Sequence, residues 1–172
     1  YFEQRGNFKM VRAVYLASTG TLSRGEICAL TAEDVNRENN TVIIRKALVQ
    51  TPDRKEIIKE PKTFSSNRIV ELPKFVIDML PTEGRIVDLP LGMLTHDFNY
   101  AKTKLGFDFN FHSLRHYAAS IMHANNIPTQ YIMERGGWKS ERTLNRIYRN
   151  SLDDYTKKYN EMTNDFYSKN FT

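Results

Sequence analysis

The sequence predicts an α+β protein, mainly helical, with a small three-stranded antiparallel sheet. Two patterns carry that prediction. Apolar residues recur at helical spacing near the start of the chain and through most of its second half. Between these stretches, residues 41–72 hold three short β-branched runs separated by turn-forming residues. With 172 residues, 40% hydrophobic and 26% charged, the chain can build one domain with a real core.

In chain order, Phe8, Val11, Val14, Tyr15 and Ala17 form an apolar stripe over 8–18, and Thr19-Gly20-Thr21 ends it. Ser23-Arg24-Gly25-Glu26 precedes Ile27-Cys28-Ala29-Leu30, a capping box ahead of an apolar run. Thr31 and Asp34 repeat the pattern on a smaller scale. Asn36 to Asn40 reads as a loop. Thr41–Leu48, Glu56–Glu60 and Asn67–Leu72 follow as strands, most simply a three-stranded meander. Pro73 ends the last strand, and Lys74–Leu80 starts a short helix. Leu94, Phe98, Ala101 and Leu105 mark a helix over 91–105 that Gly106 stops. Further helices are predicted at about 112–125, 128–135 and 140–149, broken at Asn125-Asn126 and Gly136-Gly137. Leu152, Tyr155, Tyr159, Met162 and Phe166 draw one apolar seam along a final helix.

The charge of +5 favours an anionic partner, nucleic acid first, although many basic domains bind none. The single cysteine, Cys28, forbids an internal disulfide and suits a reducing compartment, and its apolar setting reads as core rather than nucleophile. No apolar run has the length of a membrane span and no signal peptide is visible, so no membrane partner is expected. The chain opens on Tyr1, which is consistent with a fragment.

The chemistry concentrates in residues 112–148. His112, Arg115 and His116 share one helical face. The plain reading is a polar face with satisfied histidines. His112 and His116 also have a zinc-ligand spacing, but no glutamate or third ligand completes a zinc motif. Arginine beside histidine suits a phosphate better, since guanidinium forks onto two oxygens and imidazole exchanges a proton. Tyr148, taken alone, reads as a core tyrosine.

His112-Ser-Leu-Arg115-His116, then Gly136-Gly137-Trp138, then Thr143 through Tyr148 together resemble the C-terminal catalytic domain of the tyrosine recombinases, the phage-integrase family. Upstream, Thr19-Gly20 with Arg24-Gly-Glu-Ile-Cys-Ala-Leu30 resembles the family's first-arginine motif, and Pro61-Lys62-Thr63 its lysine-bearing hairpin. The resemblance implies a site-specific recombinase or integrase that cuts and rejoins double-stranded DNA through a 3′-phosphotyrosyl intermediate, with no metal or other cofactor. It gives Tyr148 as nucleophile, Arg115 as transition-state clamp, Lys62 as general acid and His112 as general base. Trp138 stands where most members carry a second histidine, and its indole N–H can donate but not shuttle protons. His116 is expected to be structural.

One departure matters. The family's first arginine lies three residues before the glutamate, which here is Ser23. Either Ser23 replaces it and only caps a helix, or the local backbone shifts and Arg24, turned ~100° away by one helical step, takes the role. Arg45, Lys46 and Arg68 are further DNA-binding candidates, each weighed against a solvated strand face. Arg45 and Lys46, as neighbours on a strand, should face opposite ways.

The expected organisation is a catalytic domain over 1–150 and a docking helix over 151–172, with N-terminal DNA-binding domains missing from this fragment. The last helix would either pack on its own core or join protomers into a tetramer on DNA. The resemblance places the protein in the cytoplasm, bacterial or phage-encoded and associated with the nucleoid. Two alternatives stay open: a catalytically impaired DNA-binding relative, marked by Ser23, and a type IB topoisomerase-like nicking-closing enzyme.

Overall fold

The computed structural model describes residues 1–60 and 67–149, together with 164, 168 and 169. Helix α1 (Phe8–Gly20) opens at Asn7, whose side chain accepts from the Met10 amide, and closes at Thr21 in the left-handed region. It buries Met10, Ala13, Leu16 and Ala17 at the centre of the main core. Helix α2 (Arg24–Ala29) begins at Ser23 with both halves of the capping box formed. A single 3₁₀ turn over Ala32–Asp34 then leads into the strands.

The strands differ from a simple meander. One sheet has the order β1 (Val35–Asn36), β2 (Thr41–Ile44), β5 (Arg68–Glu71), all antiparallel. Strands β3 (Ala47–Gln50) and β4 (Glu56–Lys59) form a separate hairpin. The predicted first strand therefore breaks at Arg45-Lys46, and the predicted second strand pairs with its later half, Val49 opposite Ile57. In the main sheet Val42 faces Val70 across the ladder, and both are fully buried. The break coincides with a tertiary clamp: both basic side chains turn back onto the buried carboxylate of Asp34. The hairpin lies over α2, where a Cβ on Gly25 would stand 2.5 Å from the Leu48 carbonyl oxygen, so only glycine allows this approach. It also reaches α4, since Glu56 accepts from the Leu91 amide at 2.8 Å.

Five helices complete the fold: α3 (Lys74–Asp78), α4 (Leu91–Leu105), α5 (Phe111–Ala124), α6 (Thr129–Gly136) and α7 (Glu141–Arg149). These agree closely with the periodicity. Phe98 meets Phe111 edge-on at 5.3 Å, and this contact fixes the start of α5 against α4. A second, smaller core gathers Ala119, Ile132, Leu144 and Ile147, with Met122, Met133 and Trp138 around it. It joins α5, α6 and α7. No helix among the described residues is long and apolar enough to cross a membrane. Cys28 is fully buried, and that burial pushes its thiol pKa up to about 11, which fits a core residue.

Candidate active site

The site is built where α1 ends, α2 begins, and the C-terminus of α6 meets the first turns of α5. Arg115 stands at the middle and is buried. Its Nη1 donates to the Thr21 carbonyl at 2.8 Å and, more weakly, to Glu26 at 3.4 Å. Its Nη2 donates to the Gly136 carbonyl. Its Nε–H has no partner among the described residues. The guanidinium lies 4.5 Å from the centroid of the Trp138 ring. Burial, partly offset by Glu26, lowers the Arg115 pKa to about 10, so it remains a cation at neutral pH.

The turn that supplies Trp138 depends on two glycines. Gly137 adopts φ +68°, which glycine adopts without strain. The Trp138 ring lies directly on Gly136, where a Cβ would meet ring carbons at about 2 Å. Thr21 is less ordinary, a β-branched residue at φ 58° and fully buried. Its hydroxyl donates to the Gly20 and Arg135 carbonyls, and its own carbonyl is aimed at Arg115.

Joined to Arg115 through Glu26 is an open cleft of about 460 Å³ lined by Ser23, Arg24, Gly25, Thr95, Asn110, Phe111 and His112. Ser23 is the N-cap of α2: its amide donates to Glu26 at 2.7 Å and its hydroxyl accepts from the Glu26 amide. Arg24 is not turned out of reach, because its guanidinium lines the same cleft and donates to the Thr95 hydroxyl at 2.5 Å. His112, one residue after the anchored Phe111, faces the cleft edge. Desolvation first, then the Arg115 charge, lower its pKa below 6.5, so its imidazole is neutral at pH 7. The rings of His112 and His116 meet edge-on, 4.5 Å apart. Among the described residues, no group of three or more His, Cys, Asp or Glu side chains is arranged to hold a metal ion.

The remaining predicted residues separate into three groups. Arg45 and Lys46 both grip Asp34, at 2.7 and 2.9 Å, rather than facing opposite ways, because the strand ends between β2 and β3. Arg68 turns inward and is not a solvated strand residue. Its Nη1 and Nη2 fork onto the two Glu26 oxygens at 2.7 and 3.1 Å, and its Nε donates to the Arg135 carbonyl. Lys62 lies outside the described residues, as does the seam over 152–166 apart from Asn164. Tyr148 is on α7, one turn beyond the buried Leu144, and its side chain lies outside the described residues.

Sequence reasoning missed the charge network behind the cleft. The sequence marks Glu26 as a capping residue and as the reference for the first-arginine position, yet it also binds Arg68 and Arg115. Burial pushes its carboxyl pKa up, but Arg68, the Ser23 amide and Arg115 together hold it below 4.5. Arg135 likewise ties α6 to the chain around it, donating to the Thr19 and Glu71 carbonyls at 2.9 and 2.7 Å. One signal was available: Arg68 alternates with Val70, so both belong to the inner face of β5.

With this geometry in view, comparison gives the class. The fold is that of a tyrosine-recombinase catalytic domain, and residues 11–154 match the family model described as the phage integrase family. The chain belongs to that family. No curated protein matches it in sequence. Among solved structures it is similar to the Tn1549 transposon integrase in complex with transposon right-end DNA (TM-score 0.66, 14% identity, covering 91% of this chain and 64% of that one). It is also similar to XerA recombinase (TM-score 0.65, 17% identity, 89% and 59%) and to a lambda integrase dimer bound to a COC′ core site (TM-score 0.54, 18% identity, 81% and 52%). The chain thus spans just under two thirds of the length of the Tn1549 integrase chain. At these identities the likeness is one of fold.

Proposed function

We propose that this chain is the catalytic part of a site-specific DNA recombinase. One observation carries the reading: Ser23, Arg24 and His112 line one cleft although Ser23 and His112 are some ninety residues apart, and Glu26 joins the Ser23 amide in its wall to Arg115, which stacks on Trp138. Family membership favours recombination over a topoisomerase-like nicking-closing role.

In the reaction, the Tyr148 oxygen attacks a DNA phosphorus and the P–O5′ bond breaks. The tyrosine proton passes to His112, which is neutral at pH 7 and therefore able to accept it. Lys62 gives a proton to the departing 5′-oxygen. The bond energy stays in the phosphotyrosine, so the reverse attack by a 5′-hydroxyl reseals a strand without ATP. Arg115 supplies fixed positive charge against the phosphate, with its Nε–H as the uncommitted donor among the described residues. Arg24 and His112 meet the phosphate from the cleft side. The partner is double-stranded DNA, and residues 151–172 join protomers into a tetramer on it, in the bacterial cytoplasm that holds the DNA of the mobile element.

The test is a covalent trap. The chain is incubated with a pool of nicked duplexes of randomised sequence, and protein–DNA adducts are separated under denaturing conditions. An adduct is expected, and Tyr148→Phe should abolish it. An adduct that survives Tyr148→Phe refutes the assignment.

A second reading, a catalytically impaired DNA-binding relative, has its own supporting observation. At the family's first-arginine position, Ser23 serves as a helix cap. Ser23→Arg is expected to raise adduct formation by roughly a hundredfold or more, the scale of a transition-state guanidinium. If Arg24 already fills that role, Ser23→Arg gains nothing and Arg24→Ala loses a similar factor.

A further inference from the structure

We propose that Arg68 is a positioning residue for strand transfer, and this rests on the recombinase reading. Three bonds support it, and none of them points at a substrate. The Arg68 fork holds both oxygens of Glu26, and its Nε holds the Arg135 carbonyl. Glu26 in turn accepts from Arg115 and from the Ser23 amide at the cleft wall. Arg135 is the last residue before Gly136, whose carbonyl accepts from Arg115 and whose Cα carries the Trp138 ring. One guanidinium therefore sets two things at once: the carboxylate that orients Arg115, and the turn that lays Trp138 on Arg115.

Geometry excludes the simpler roles. The Arg68 side chain is 9% exposed, so it has little surface to offer a DNA backbone. An ion pair confined to Glu26 would tie Arg68 to α2 alone. Here all three guanidinium nitrogens donate, and to two different segments, α2 and the end of α6. Lysine keeps the charge but is a single point donor, unable to make the fork and the carbonyl bond together.

The sole tryptophan of the chain is Trp138, so its fluorescence reads this arrangement directly and independently of activity. The experiment compares the unmodified chain with Arg68→Lys and Arg68→Gln. It measures Trp138 emission and acrylamide quenching, single-turnover adduct formation at saturating nicked duplex, and DNA affinity from the duplex concentration dependence. Circular dichroism establishes that each variant is folded. Both variants are expected to make Trp138 at least twofold more quenchable and to slow adduct formation tenfold or more, with affinity changed less than threefold and Arg68→Lys the milder.

Unchanged quenching and unchanged rate overturn the proposal. A loss confined to affinity also overturns it, by making Arg68 a DNA contact. If neither variant folds, nitrogen-15 NMR of the unmodified protein decides. The Arg68 Nε–H must be protected from solvent exchange and must shift when Glu26→Asp shortens the carboxylate, and an unprotected signal refutes the proposal. If the unmodified chain forms no adduct, the recombinase reading fails, while the quenching arm still decides whether Arg68 positions Trp138.

Discussion

Two carboxylates, the half-buried Glu26 and the buried Asp34, each hold two cations, and they do so for opposite reasons. Asp34 is fully buried at the end of a 3₁₀ turn, and its cations reach it from the surface: Arg45 is 49% exposed and Lys46 20%. Glu26 is the more exposed carboxylate at 16%, while Arg68 and Arg115 are each 9% exposed. At Asp34 the cations serve the carboxylate, satisfying a group the turn has buried. At Glu26 the carboxylate serves the cations, making two interior guanidiniums tolerable. Two charges on the same scaffold thus divide into a local strand-breaking clamp and a support for the candidate active site. The difference lies in which partner can return to water.

That contrast predicts unequal costs. Glu26→Gln removes the counter-charge from two guanidiniums that are each only 9% exposed. A loss of about 3–5 kcal/mol is expected in urea unfolding, together with a change in Trp138 emission. A cost under ~1 kcal/mol would mean the guanidiniums are held by the Thr21, Arg135 and Gly136 carbonyls alone. Asp34→Asn should cost less, about 1–3 kcal/mol, because Arg45 and Lys46 can swing out and rehydrate, and it should leave Trp138 emission unchanged. Equal losses at the two sites would erase the distinction.

Acid titration gives the smallest and most graded effect. Both carboxyls have folded-state pKa values below their ordinary ones of 4.5 and 3.8, so the unfolded chain binds protons more readily. Their contributions are fully present above those ordinary values and are lost as pH falls through the lowered ones. The urea midpoint should hold steady near neutrality and fall below about pH 4.5. The fall should be shallower in Asp34→Asn, which has one such group fewer. An identical acid limb in wild type and variant would mean that Asp34 does not carry its share.

Much of the fold is legible in the residues because it is locally encoded. The capping box at Ser23, the stop at Gly106 and the apolar stripes of α4 and α5 each depend on neighbours within a turn or two. The hairpin was harder. In Thr41–Leu48 the β-branched run stops at Ile44, but Ala47 and Leu48 continue the apolar stretch, so the segment reads as one strand. The break depends on Asp34, eleven residues away and buried only in the assembled fold. The solvated-face reading of Arg68 fails for the same reason: an arginine on a short strand suggests solvent until Glu26, 42 residues away, is found facing it.

By itself the sequence determined the order of the helices and the family resemblance, because the motifs around His112 and Arg115, Gly136 to Trp138, and Thr143 to Tyr148 are each local to α5, to the turn after α6 and to α7. Only the tertiary structure decided which charges meet. Arg115 and Glu26 are 89 residues apart and Arg68 and Glu26 are 42 apart, and no pattern within either segment encodes that pairing. The physical reason is burial. A charge enters the interior only where the packed elements supply its partner, and that partner is fixed when the chain folds.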